Sequence, residues 1–215
     1  MMQRLLITLL VLGVSPAMAD DAQEVSATGK VVQYEADGGG MLANADVDWD
    51  RYSGILLEKA SVEFRNDWER DQERLNNNIV RVADQEKIKS DMSDMLHGIL
   101  VRKIADTEHY ELTNTRGANV LRFTPRIAKL DIHAPGRVQG IIGNVLVDSK
   151  GSLVLVMEIS DSVSGELLAS AWRLEVDPDK GFMETATEAG NKTAFSRMMA
   201  DWSTWLFGML DHVRR

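Results

Sequence analysis

The chain has 215 residues, with 24 Lys plus Arg against 33 Asp plus Glu, a formal net charge of −9 and no cysteine. That acidic balance supplies no basic stripe to displace counterions from phosphates, so nucleic acid and anionic membrane surfaces are excluded as natural partners. Without cysteine there are no disulfide staples, no thiol catalysis and no thiolate metal sites, and packing alone must hold the fold.

The first segment belongs to export. Arg4 gives a short positive start, residues 5–14 are apolar, and Ala17-Met18-Ala19 offers small residues where a signal peptidase reads. That is the pattern of a secretory signal peptide (residues 1–19) cleaved after Ala19. The apolar stretch is too short for a permanent anchor, and no later stretch approaches a membrane span. Removing residues 1–19 takes away Arg4 and no acid, so the mature chain is one unit more negative. An exported protein without cysteine fits a bacterial periplasm.

Residues 20–50 are acidic and rich in small residues, with Gly38-Gly39-Gly40 in the middle. They read as a flexible leader that tethers or drapes over a single domain at 51–215. The folded part is expected to begin near Trp49 and Tyr52. Residues 55–64 look like the first strand, and the polar segment 65–78, carrying Trp68 among charges, reads as a loop or a ragged short helix. Residues 84–104 form the first main helix, with Asp84 as N-cap. Ile88, Met92, Met95, Leu96, Ile99 and Leu100 share one side of its wheel and His97 takes the solvated side.

A short strand at 110–112 precedes a turn at 114–117. From Asn119 the pattern is β-like. Leu121, Phe123 and Ile127 keep one phase and Ala128, Leu130 and Ile132 the other, which calls for a bulge near Pro125. Residues 138–147 give the next strand. A hairpin at 152–176 then organises the chain. Its first arm is an unbroken apolar run, Leu153 to Met157, suited to a strand covered on both faces. Asp161 and Gly165 mark the turn, by side-chain capping and by tolerance of positive φ. The return arm sets Leu168, Trp172, Leu174 and Val176, expected to fill a core, against Ala169 and Ala171, small enough for a helix to approach. Residues 175–190 read as a long loop. A helix at 193–214 closes the chain, its Met and Trp stripe reading as core and Arg214 and Arg215 complementing its dipole.

The order strand, helix, strands, helix predicts an α+β single domain. It has a mostly antiparallel sheet of about five or six strands and two amphipathic helices on one face. The other face would then be solvated, capped by the leader or buried in a partner.

No chemistry rises from the residue pattern. His97, His109, His133 and His212 are scattered, and Asp46, Asp48 and Asp50 alternate like a calcium loop but lack its glycine and distal glutamate. No Gly-x-Ser-x-Gly elbow occurs, and Ser162 and Ser164 are explained by the hairpin turn. Paired acids such as Glu158 with Asp161, or Glu166 with Glu175, fit strand ends better than acid–base work. Gly38-Gly39-Gly40 and the pair Gly140 and Gly143 lack the context of a phosphate loop. No catalytic, cofactor-binding or metal residue is therefore assigned, and no cofactor is expected.

Asp48-Trp49-Asp50-Arg51-Tyr52 leading into 55–64, and above all the run Glu158 to Ala169, resemble a family of Gram-negative envelope proteins. It is known as a domain of unknown function, number thirty-three thirteen, and many members are lipoproteins. The resemblance covers roughly residues 41–213. It implies a compact α+β envelope domain and supplies no catalytic residues. Two departures stand out: no cysteine follows the signal region, so lipidation there is excluded, and Ala60-Ser61-Val62 lacks an expected proline.

The leading expectation is a non-enzymatic periplasmic domain that binds an envelope protein or itself. A carrier of a small apolar ligand, held between helices and sheet, is the alternative. A cell-wall hydrolase using a carboxylate pair comes third.

Overall fold

The computed structural model describes residues 31–36, 38–76, 80–133, 146–147, 149–178, 184–185 and 187–214. In chain order the elements are β1 (Val31–Ala36), β2 (Gly39–Asn44), a 3-10 turn (Trp49–Arg51), β3 (Gly54–Leu57), β4 (Ser61–Phe64), α1 (Trp68–Asn76) and α2 (Val82–Ala105). Then come β5 (Glu111–Leu112), β6 (Val120–Ile132), β7 (Leu146–Val147), β8 (Gly151–Asp161), β9 (Leu167–Val176), β10 (Glu184–Thr185) and α3 (Glu188–Val213).

The main sheet runs β1-β2-β9-β8-β6-β3-β5, with β4 also on β6. β3 and β4 lie end to end along β6, so they fill one interrupted strand position. Both run parallel to β6, and β5 runs parallel to β3; the other pairs are antiparallel. The α+β single domain expected from the pattern is the fold observed, with more strands than anticipated and a third helix. That helix, α1, is the polar segment left open between loop and helix. Its Trp68 is buried, stacks on Phe64 with ring centroids 4.0 Å apart, and donates from Nε1 to the Ile132 carbonyl at 2.8 Å. One anchored indole therefore holds a helix whose other residues are mostly charged.

The expected leader differs most. Within residues 20–50, Val31–Ala36 and Gly39–Asn44 form a hairpin whose second strand pairs with β9, so this part is sheet and not a tether. Gly38, at φ 76°, makes the turn. Gly40 faces Trp172 across the strands, and a Cβ on Gly40 would lie 2.6 Å from the indole. The glycines that suggested flexibility instead let β2 lie under a tryptophan.

Helix bounds shift as well. α2 starts at Val82 with Arg81 as N-cap and no side-chain cap bond; Asp84 sits inside the first turn, where its charge meets the dipole. α3 starts five residues earlier than expected because Thr187 caps it, its side chain accepting from the Gly190 N–H at 3.0 Å. The strand expected at 138–147 falls outside the described residues apart from β7, which pairs with β10; of the loop expected at 175–190, 175–176 instead end β9, Glu184–Thr185 form β10 and 188–190 open α3, while 179–183 and 186 lie outside the described residues.

The phase change in β6 is real, but its bulge lies between Ala128 and Asp131, past Pro125, with Lys129 at φ 50°. The extra residue keeps Leu130 and Ile132 on the side of Leu121, Phe123 and Ile127, all in one core. That core also takes Met92, Leu96, Ile99 and Leu100 of α2 and Phe195, Met198, Met199, Trp202, Leu206 and Leu210 of α3. Both helical stripes are thus core, as their spacing predicted. Ala169 and Ala171 supply the shallow floor beneath them.

Candidate interaction surface

The residues that looked chemical do not converge. Among the described residues no group of three or more His, Cys, Asp or Glu side chains is placed to hold a metal ion. His97 is half-buried, not fully solvated, and its Nδ1 has no hydrogen-bond partner among the described residues; the His133 carbonyl accepts from the Asn191 amide at 2.8 Å. Asp50 pairs with Arg214 at 3.1 Å, and the Arg214 guanidinium lies over the Tyr110 ring, so the arginine that caps α3 ties that helix to the 3-10 turn. Glu158 and Asp161 lie on opposite faces of β8, and Glu166 and Glu175 stand at opposite ends of β9.

Asp161 is heavily bonded. Its carboxylate accepts from Arg51 Nη2 at 2.8 Å, Tyr52 Oη at 2.9 Å, and the N–H groups of Val163 and Ser164 at 3.0 and 2.9 Å. Burial pushes its pKa up, but these donors outweigh that and hold it at about 2. Tyr52 is pushed up to about 12, first by burial and then by its bond to Asp161. At neutral pH Tyr52 therefore keeps its proton and Asp161 stays charged. It is a latch between the 3-10 turn and the β8–β9 turn, with Gly165 at φ 75° completing the loop.

Glu175 is the opposite case. Burial between β9 and α3 raises its pKa; Arg173 at 3.3 Å pulls it back, and Asp201 adds to the rise. A raised acid weakens the fold as pH climbs through its titration. Glu175→Gln is therefore expected to hold or raise the melting temperature at pH 7, by no more than about 3 °C, and to lose that advantage below pH 4. Thermal scans at both pH values check this.

An open groove of about 360 Å³ runs beside α1, lined by Phe64, Arg65, Asp67, Trp68, Glu69, Arg70 and Gln85. Its cations are already engaged: Arg65 pairs with Asp71 and Asp131, and Arg70 with Asp67.

The second sheet face is different. Here Ala128, Val154, Val156 and Trp172 form a separate cluster, with Leu42 packed against it. Register places them as neighbours: Ala128 faces Val154, Val156 faces Trp172, Val154 faces Leu174, and Ser152 faces Val176. The large residues of β9 were expected to fill a core, and only part of that holds. Trp172 is buried, but Leu174 is 37 % exposed and Val176 55 %. The apolar strip thus begins under Trp172 and ends open at the tip of β9. Toward β3 it gives way to polar groups, including the Arg122–Glu58 pair at 3.0 Å. Ser170, opposite Leu42, is fully buried, and among the described residues its hydroxyl has no hydrogen-bond partner.

Among the described residues no helix is long and apolar enough to cross a membrane. No family model matches the chain, so the family read from the hairpin stays a resemblance. No curated protein matches. Several solved structures are similar in fold. Protein XCC0632 from Xanthomonas campestris, of the family DUF330, is 15 % identical, covering 74 % of this chain and 85 % of its own, with a TM-score of 0.44. The PelC dodecamer from Paraburkholderia phytofirmans is 10 % identical over 80 % of this chain and 95 % of its own, with a TM-score of 0.37. A neuraminyllactose-binding hemagglutinin homologue from Helicobacter pylori is 10 % identical over 75 % and 87 %, with a TM-score of 0.36.

Proposed function

We propose that this chain is an exported domain of the Gram-negative envelope that works by binding a partner protein and not by catalysis. One observation carries the reading: the apolar strip on the sheet face that no described helix covers, closed under Trp172 and open at Leu174 and Val176. An exposed leucine alone means little, but an apolar cluster running out to solvent between polar margins is the layout of a contact surface. The export pattern, with Arg4, the apolar 5–14 and Ala17-Met18-Ala19, supports the periplasm as the compartment. Asp161, held by Arg51 and Tyr52, is committed to the fold, which supports a scaffold role for the polar network.

The test is site-specific photo-cross-linking in the periplasm, with the photoreactive residue placed at Leu174 or Val176. A discrete adduct of one mass at both positions, absent when the probe sits at Val163 on the β8–β9 turn, is the expected outcome. Equal labelling at Val163, or no adduct at the strip, overturns the proposal.

A further inference from the structure

The two margins of the sheet are built differently. On the β5 side the edge is blunted. β3 and β4 are four residues each with a break between them, β5 has two, the β4–β6 register shifts, and Ser93 Oγ caps the Ala60 carbonyl at 2.8 Å. Natural sheets protect edges in this way, with short strands, irregularities, prolines and lysines. On the other side β1 is six unbroken residues, Val-Val-Gln-Tyr-Glu-Ala, paired in full register with β2. It holds no proline and no lysine, and among the described residues nothing pairs with its outer edge. Its composition favours strand pairing.

We infer that β1 is an association edge whose partner is β1 of a second copy, added antiparallel about a twofold axis perpendicular to the sheet. This surface is separate from the strip on the second face and does not depend on it. A twofold pairing of this kind sets residues of equal phase opposite one another, so the axis passes through one residue. Centred on Tyr34, it puts Gln33 opposite Glu35 of the second copy, twice by symmetry. Gln33 and Glu35 are both exposed and already bonded to each other within one chain, Nε2 to Oε1 at 2.7 Å. Across the axis the same donor and acceptor meet, and the two Glu35 charges do not face each other. Centring on Gln33 would instead stack that amide on itself and put Glu35 against Val31 of the second copy. Charge and hydrogen bonding select the Tyr34 axis. The product is one continuous sheet with the helices of both copies on the same face.

The cysteine-free chain makes the test clean, because any disulfide comes from the introduced residues. Light scattering on the purified protein up to about 100 μM, together with Gln33→Cys, Glu35→Cys and Val163→Cys, reads it out. Expected are a dimer mass and an oxidised Gln33→Cys/Glu35→Cys mixed dimer that forms at least tenfold faster than either variant with itself or Val163→Cys with itself. Opposed residues on neighbouring strands bring Cα atoms within disulfide range. Matching melting curves confirm that these exposed-site variants fold. Fast coupling of Gln33→Cys with itself keeps the edge but overturns the Tyr34 axis. A monomer throughout, or coupling no faster than at Val163, overturns the association itself and leaves the photo-cross-linking result at Val176 to stand or fall alone.

Discussion

Gly151→Ala is expected to cost at least about 3 kcal/mol and to lower the urea midpoint accordingly, without touching the distant β1 edge. Gly151 opens β8 opposite Ile132, just past the β6 bulge, at φ 134°. A Cβ there would fall 1.8 Å from the Asp131 carbonyl oxygen and 2.9 Å from its carbon. Those are backbone atoms, so no rotamer change relieves the collision; the strands must part. The Gly151 carbonyl also accepts from Asp177 N–H at 2.9 Å, so the displacement reaches a buried acid that holds Lys150 N–H and Arg197. Gly165→Ala supplies the control. Its φ of 75° carries the left-handed strain, but nothing lies within 4 Å of the added carbon. It should cost only about 1 kcal/mol. Similar losses in the two variants would mean that conformational strain alone, and not the Asp131 contact, sets the cost.

The second large effect belongs to Asp161→Asn. The amide keeps an acceptor for the turn N–H groups but removes the charge that Arg51 and Tyr52 engage. The expected loss is about 2–4 kcal/mol at pH 7, because the partners of a buried charged group are left unpaired. The sign with pH follows from the folded pKa of about 2, below the ordinary 3.8. A depressed acid contributes stability that is fully present above the unfolded value and disappears as pH falls through the folded one. The gap between parent and variant should therefore hold from pH 7 to about 5 and shrink by roughly 2 kcal/mol on the way down to pH 2. Urea titrations at a series of pH values measure it. A gap that is the same at pH 7 and pH 2.5 would assign the loss to packing. Tyr52→Phe should reproduce only about 1 kcal/mol of it, since one hydroxyl bond goes while Arg51 remains.

Much of this protein was legible in local pattern. The β8–β9 hairpin, the Asp161 side chain folding onto its turn, the small residues under the helices and the apolar stripes of α2 and α3 all follow from period and turn chemistry. These depend on residues a few positions apart, so the chain alone carries them. The phase switch in β6 was visible too, yet its place was not. Two apolar sets out of step say that an extra residue lies between them, and only pairing with β8 puts it at Ala128–Asp131.

What tertiary structure decided was neighbourhood. An acidic stretch with three glycines reads as a tether until β9 is seen to accept β2 beneath Trp172. Trp68 among charges says nothing of α1 until Ile132 is found within reach of its indole. Leu174 and Val176 look like core residues until the helices are seen to choose the opposite face. In each case residues dozens of positions apart compete for the same partner surface, and that contest is settled by which pairing buries the most apolar area at once. The chain by itself set the parts, the export pattern and the absence of thiol chemistry. Only the assembled sheet determined its order, its open margin and the end of its apolar strip, because strand pairing and burial are properties of contacts between distant residues.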